Sequence, residues 1–316
     1  MVRCRIAIIA SLCGLPLAVL SAPATTRQRF EFRKVLMGVE CRLVLYAPDA
    51  PRAREAGAAA FDRIAALDAV MSDYRPDSEL MRLCAVGHHA PTKVSPDLFT
   101  VLRTALDIAQ ASDGAFDITV GPFARLWRQA RQTRQLPTPS ELADARTKVG
   151  WQKICLDPEK QTVRLAVAGM QLDLGGIAKG YAVDCALQVL QRFGVAQAMV
   201  EFGGDIRLGD PPPHRAGWRI RLPEGAQPAV MELARCAVST SGTTEQFVDI
   251  NGQRYAHIID PRTGLGLTRL TVATVVADCG LLSDPLATAV CVLGREKGEQ
   301  LVRRYNARIV FFRQAP

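Results

Sequence analysis

From Ala196 to Asp278 one strand-like segment follows another, and no helical pattern separates them. The segments are "AQAMVEFGGDIRLG", "WRIRLP", "ELARCAVSTSG", "FVDINGQRYAHIID" and "LTVATVVAD". Each is rich in apolar and β-branched residues and is bounded by Gly, Pro, Asn or Asp, the pattern of strands between turns. Asn251-Gly252 is a preferred dipeptide for a two-residue hairpin loop, because both positions accept a positive φ. Strands that succeed one another in this way pair mainly with sequence neighbours, so the stretch predicts largely antiparallel sheet.

The flanking sequence supplies helices and further strands. "FEFRKVLMGVECRLVLY" (30–46) alternates apolar and polar residues and predicts one or two strands. Arg52 to Met71, Ala178 to Phe193, Leu281 to Leu293 and Glu296 to Tyr305 carry helical patterns. Ser95 is an expected N-cap for a helix to about Ala111, and Ser140 is the expected start of another that ends at Gly150. "SDYRPDSE" is expected as a loop, "SDGAFDITVGP" as a turn into a short strand, and "KICLD", "TVRLAV" and "MQLDL" as strands, with "ARIVFF" closing the chain. No repeat or low-complexity linker interrupts the series. Residues 25–316 are therefore expected to form one α+β domain of largely antiparallel β-sheets flanked by α-helices, in αββα-like layers.

The first 24 residues are a separate object. Arg3 and Arg5 precede the apolar run "IAIIASLCGLPLAVL", and Ala22 and Ala24 stand in an A-x-A arrangement. That is the form of a secretory signal peptide. The alternative, an uncleaved anchor, is opposed by the shortness of the run. Leu12 before Cys13 is a poor neighbour for a lipid-attachment cysteine, so export to the periplasm or cell envelope without a lipid is expected. Seven cysteines lie beyond this segment, and none forms a C-x-x-C pair. Zinc and thioredoxin-like chemistry are excluded on that spacing. The net charge of +8 is spread over scattered arginines rather than gathered in a block, so nothing suggests a nucleic-acid arm.

Within "LLSDPLATAV" (281–290), Asp284 and Thr288 lie one helical turn apart on a common face. Ser283 is the expected N-cap and Pro285 the expected first-turn proline. A carboxylate and a hydroxyl stacked in this way offer two hard oxygen ligands of the kind Mg²⁺ takes; simple capping by the same two groups is the alternative. "LDLGGIAKGYAVD" (172–184) places two glycines and Lys179 between a strand and a helix, where backbone groups and an ammonium can meet an anion. It lacks the spacing of a Walker A loop, and a tight turn with a surface lysine explains it equally well. Gly203-Gly204 inside a strand marks a bulge or a close approach. His257 sits just before an Asp-Pro-x-x-Gly turn. The other histidines, His88, His89 and His214, make no metal pattern.

In chain order these segments are "MG" at Met37, "MSDYRPDSELMRL", "GAFDITVGP", "LDLGGIAKGYAVD", "EFGGDI", "STSG", "HIIDPRTG" and "SDPLATA". The series resembles the FAD:protein FMN transferase family, also called the ApbE family, over roughly residues 30 to 312. The resemblance implies a magnesium-dependent enzyme of bacterial cell envelopes. Such an enzyme splits FAD and joins its FMN half, as a phosphoester, to a threonine or serine of a partner protein, and releases AMP. It implies a metal held by Asp284, Thr288 and the carbonyl of Gly176. It implies FAD contacts from Met37, Tyr74, Ala115, Phe116, Asp117, Asp173, Lys179 and Ile258. His257 is the candidate general base for the acceptor hydroxyl. The acceptor pattern is of the Ser/Thr-Gly-Ala-Ser/Thr kind; "DGAF" here lacks the hydroxyls, so the acceptor is expected on another protein, a membrane redox-pump subunit or an exported flavoprotein. An FAD pyrophosphatase and a non-catalytic flavin binder are the competing readings. Two departures from the family stand out: Cys84 replaces an Asn that bears on FAD hydrolysis, and Thr243-Thr244 replace an acid and a tyrosine.

Overall fold

The computed structural model describes residues 27–244 and 246–315; the expected signal peptide lies outside them. Among the described residues no helix is long and apolar enough to cross a membrane.

The chain opens with the hairpin β1 (Gln28–Leu36) and β2 (Val39–Ala47), followed by α1 (Ala50–Met71), α2 (Glu79–Val86), β3 (Thr92–Lys93) and α3 (Pro96–Ala111). Next come α4 (Gly121–Thr133), α5 (Pro139–Thr147), β4 (Ile154–Asp157), β5 (Thr162–Leu165) and α6 (Ala178–Arg192). The strand-rich stretch gives β6 (Ala198–Phe202), β7 (Asp205–Leu208), β8 (Trp218–Arg221), β9 (Val230–Leu233), β10 (Ala237–Gly242), β11 (Phe247–Ile250), β12 (Gln253–Ala256), β13 (Ile259–Asp260), β14 (Leu265–Gly266) and β15 (Leu270–Ala277). The chain closes with α7 (Gly280–Leu293), α8 (Arg295–Arg303) and β16 (Arg308–Ala315).

Seven strands form one sheet in the order β1-β2-β6-β7-β10-β15-β16, and every neighbouring pair is antiparallel. The α+β expectation therefore holds. The period of two is visible in β2. Cys41, Leu43, Leu45 and Ala47 face a large core shared with the helices, while Val44 and Tyr46 face a smaller cluster with Trp218 and Ile220 of β8. One face of the sheet is thus covered by helices and the other, in part, by the β8–β9 hairpin. Asn251 and Gly252 carry φ of 52° and 78° in the predicted turn, and Ile250 pairs with Gln253 across it.

Several local expectations are corrected. Residues 118–120 are a 3₁₀ turn, not a strand. The Asp117 carboxylate caps that turn, accepting from the backbone N–H and the hydroxyl of Thr119 at 2.8 and 2.7 Å. The turn leads straight into α4, a helix that the strand reading hid. "MQLDL" alternates as a strand does, with Met170, Leu172 and Leu174 buried. It finds no ladder, though. Its N–H groups go instead to Cys84 Sγ (from Leu172, 3.3 Å) and to the Ile118 carbonyl (from Asp173, 2.8 Å). Thr138, not Ser140, caps α5, in a capping box with Glu141. Ser283 is not an N-cap either. Helix α7 starts a turn earlier, because its first N–H groups find acceptors on Asp184 of α6. Pro285 accordingly lies inside the helix. The seven cysteines are all free thiols, four of them buried.

Candidate active site

Helices α6 and α7 cross where two glycines meet. A β-carbon on Gly180 would lie 2.1 Å from the Gly280 carbonyl oxygen, and one on Gly280 would lie 2.2 Å from the Gly180 oxygen. Only glycine permits that approach. It brings the turn before α6 alongside the face of α7 that carries Asp284 and Thr288. Asp284 is 3% exposed, and its Oδ2 accepts from the Gly180 N–H at 3.0 Å. Gly176 is packed against Thr288: a β-carbon there would lie 3.3 Å from Oγ1, and 3.2 Å from the Phe116 ring. Thr288 Oγ1 is also 3.1 Å from Ser241 Oγ of β10. Its hydroxyl therefore bonds across to the sheet rather than back to its own helix, as simple capping would have it.

Lys179 Nζ stands between two buried acids, 2.7 Å from Asp205 and 3.6 Å from Asp284. Burial works against its charge, but the two carboxylates outweigh it and raise its pKa. Burial, and then the neighbouring Asp205, push the Asp284 carboxyl up to about 7, while Lys179 and the Gly180 N–H pull the other way. One ammonium against two acids leaves a surplus of negative charge in a buried place, which suits a cation.

These groups open onto a cleft of about 560 Å³, a volume in the range of ligand pockets. Gly176, Lys179, Asp284 and Thr288 form its floor together with Gly203-Gly204 of the β6–β7 turn and Ser241. Ala115, Phe116, Asp117, Asp173 and Tyr74 line it on the helical side, and His257 and Ile258 on the side of the β11–β14 ribbons. Eleven of the twelve residues singled out in the sequence thus converge on one cleft. Met37 does not line it. It occupies the β1–β2 turn with φ of 47° and packs against the core, and Val39 two residues later lines the cleft instead. Asp117 lines the cleft, and its carboxylate also accepts from the Thr119 N–H and hydroxyl and from the Trp151 N–H (2.9 Å). Cys84 is buried in the core behind Leu172 and is not a lining residue. Thr243 is buried against Thr271, whereas Thr244 does line the cleft.

His257 is exposed at the rim; its Nδ1 lies 3.1 Å from the Gln246 carbonyl. A proton on Nδ1 donated to that carbonyl places the basic lone pair on Nε2. The turn that follows is anchored from outside. Trp127 Nε1 donates to the Gly264 carbonyl at 2.8 Å, and a β-carbon at Gly264, φ 76°, would strike the Phe123 ring at 2.7 Å. Helix α4 therefore sets the position of "HIIDPRTG". It also contributes Arg128, whose guanidinium lies 4.2 Å from the Tyr74 ring centroid and is ion-paired to Asp73 and, at 3.5 Å, to Asp173. Arg128, Arg131 and Ser241 were missed in the sequence. The signal for the first two was there: Arg125, Arg128 and Arg131 recur every three residues opposite the buried Phe123, Trp127 and Ala130.

Among the described residues no group of three His, Cys, Asp or Glu side chains gathers as a metal cluster. The ApbE family model matches residues 37–312. An FAD:protein FMN transferase of Treponema pallidum is 34% identical over 292 residues, covering 86% of this chain and 81% of the relative. One from Haemophilus influenzae is 34% identical over 252 residues, covering 76% and 73%. Among solved structures, the flavin transferase ApbE from Vibrio cholerae superposes with a TM-score of 0.81 at 28% identity, covering 92% of this chain and 97% of that one. The apo form of the Pseudomonas stutzeri flavinyl transferase ApbE gives 0.80 at 29%, covering 93% and 96%. A match that runs through both strand-rich and helical halves, and through every segment that builds the cleft, places this chain in the ApbE family.

Proposed function

We propose that the protein is a magnesium-dependent FAD:protein FMN transferase. The observation that carries this reading is the convergence of Gly176, Lys179, Asp284, Thr288 and His257 on one cleft. The names of its relatives support it.

The residues fit a divalent cation. Asp284 offers a carboxylate, Thr288 a hydroxyl and Gly176 a carbonyl, all hard oxygen donors. The surplus negative charge of Asp205 and Asp284 over Lys179 would be balanced by it. A Mg²⁺ ion held by these donors would neutralise charge on a diphosphate and make AMP a better leaving group. Lys179, held protonated, adds fixed positive charge beside the same place. Tyr74, backed by Arg128, presents an aromatic face to a flat ring system. Phe116 and Ile258 exclude water from the cleft walls.

In the transfer, the oxygen of a serine or threonine hydroxyl on the acceptor attacks the phosphorus on the riboflavin side of the FAD diphosphate. A P–O bond to that hydroxyl forms as the bridging P–O bond breaks and AMP departs with the electron pair. His257, through Nε2, takes the hydroxyl proton, a contribution of about 10² to 10⁴ in rate. The acceptor segment is of the Ser/Thr-Gly-Ala-Ser/Thr kind, on a membrane redox subunit or exported flavoprotein. The form of residues 1–24 supports an envelope or periplasmic location.

Incubation with FAD, Mg²⁺ and an acceptor domain is expected to give a fluorescent protein band and a gain of one FMN by mass spectrometry. Both are expected to vanish with chelator and with Asp284→Ala. Free FMN and AMP without labelled acceptor would instead establish a pyrophosphatase. Stoichiometric flavin binding without AMP would establish a flavin carrier.

A further inference from the structure

The sequence "GYAVD" (180–184), which begins at the third residue of α6, has a counterpart in "GLLSD" (280–284), which opens α7. Both are Gly-x-x-x-Asp, and the fold sets them against each other. Neither helix has a side-chain cap from its own N-cap residue, Ile177 or Cys279. Each takes its cap from the other. Asp284 of α7 accepts from the Gly180 N–H of α6 at 3.0 Å. Asp184 of α6 accepts from the Gly280 and Leu281 N–H groups of α7, each at 2.8 Å. Each acid has a cationic neighbour, Lys179 for Asp284 at 3.6 Å and Arg207 for Asp184 at 3.0 Å. The two halves differ in that Asp184 accepts two N–H groups and Asp284 one, and in that Asp284 faces the cleft whereas Asp184 does not line it.

We infer that Asp184 is a positioning residue for the Asp284 carboxylate. The inference rests on the reading above that Asp284 holds the divalent cation. The Asp184 carboxylate clamps the first turn of α7 onto α6, both of its oxygens taken by α7 backbone. With that turn fixed, Asp284 one turn later meets the Gly180 N–H through Oδ2. The hydrogen bond orients the carboxylate and leaves Oδ1 for the cleft. Groups that orient a ligand in this way typically carry about 10- to 100-fold in metal affinity. Asp184 needs its charge and length here, since one carboxylate must accept two adjacent helix N–H groups. Arg207 Nε, 3.0 Å from Asp184 Oδ1, pairs with the same carboxylate without touching the α7 backbone bonds.

The test uses Mn²⁺ as a paramagnetic stand-in for Mg²⁺, with free Mn²⁺ followed by electron paramagnetic resonance in titrations of the full chain with FAD present. Asp184→Asn keeps the side-chain volume but leaves one of the two N–H groups without an acceptor. It is expected to weaken Mn²⁺ binding about tenfold or more. Arg207→Gln, which leaves both caps in place, is expected to bind within about twofold of the wild type. Should Asp184→Asn not fold, Asp184→Glu serves instead: it keeps the charge, displaces the carboxylate by one methylene, and is expected to show the same weakening. Wild-type affinity in the Asp184 variant, or equal weakening in Arg207→Gln, overturns the inference while the metal reading stands. Failure of the wild type to bind Mn²⁺ overturns the metal reading and the inference with it.

Discussion

Gly180→Ala reverses the usual sign of a glycine-to-alanine change in a helix. Removing glycine from a helix interior ordinarily gains about 1 kcal/mol. Here the new β-carbon would lie 2.1 Å from the Gly280 oxygen and 2.7 Å from the Asp284 β-carbon. Both are well short of the ~3.5 Å of an ordinary non-bonded contact. The first obstacle is backbone, so the helices must part. Overpacking of that kind costs about 1–3 kcal/mol. Parting α6 from α7 also stretches the bond from the Gly180 N–H to the Asp284 carboxylate, and a hydrogen bond to a charged group is worth about 1.5–3 kcal/mol. Net of the propensity gain, the variant is expected to be less stable by about 1.5–5 kcal/mol. In a chain of this size that lowers the melting temperature by about 3–8 °C. Urea unfolding followed by the fluorescence of Trp127, Trp151 and Trp218 measures it as a lowered midpoint at unchanged slope. Gly57→Ala in α1 is the control, because its β-carbon would meet only the side chain of Phe32, at 3.1 Å. Gly180→Ala at or above wild-type stability, with Gly57→Ala near neutral, would refute the argument that this glycine exists for helix contact.

His257→Asn is expected to slow FMN transfer by about 10² to 10⁴ in single-turnover assays while FAD affinity stays at the wild-type level; an unchanged rate removes the general-base role. Arg128→Met keeps the apolar stem but removes the cation under Tyr74, and loss of that contact alone is expected to weaken FAD binding about two- to fivefold, read by quenching of flavin fluorescence. Asp97 supplies a pH test. Burial opposes its ionisation, but hydrogen bonds from Arg63 and Tyr181 prevail and hold its pKa below the ordinary value. A lowered folded-state pKa contributes stability that is fully present above the unfolded value of about 3.9 and is lost as pH falls through the folded one. The stability gap between wild type and Asp97→Asn is therefore expected to be constant above about pH 5 and to shrink below about pH 4, measured by urea midpoints across that range.

Most of the sheet was legible because its strands are short runs of apolar and β-branched residues between turn residues, and alternate residues serve opposite faces, as Cys41, Leu43 and Leu45 show against Val44 and Tyr46. The failures have a common cause. "MQLDL" alternates because Met170, Leu172 and Leu174 are buried, yet alternation says nothing about whether a neighbouring strand exists to pair with. "DITVGP" is rich in β-branched residues, but the Asp117 side chain wins its backbone for a 3₁₀ turn, and α4 follows unseen. Missing α4 meant missing Arg128 and the Trp127 anchor of the "HIIDPRTG" turn. The start of α7 was misplaced for a related reason. Ser283 is a good local cap, but Asp184, almost a hundred residues earlier, supplies a better one. Contacts of that separation cannot be found by scanning a window.

The acid of the cleft floor stood out in the sequence more than the helix ends did, because its chemistry is unfavourable for folding alone. Asp284 sits at 3% exposure in an apolar helix, near Asp205 at 2%. Two buried carboxylates share one lysine, and the carboxyl of Asp284 is pushed up to about 7 by burial and by its neighbour. An apolar residue of similar volume would relieve that repulsion and pack as well. The proposed divalent cation would balance that surplus charge. Met37 shows the opposite case. It is partly buried and apolar, its turn conformation and core contacts account for it without a ligand, and it is the one predicted contact that the cleft leaves out. Phe116 and Ile258 line the cleft and are explained by packing as well, so the buried acid is the lining group whose placement packing alone does not explain.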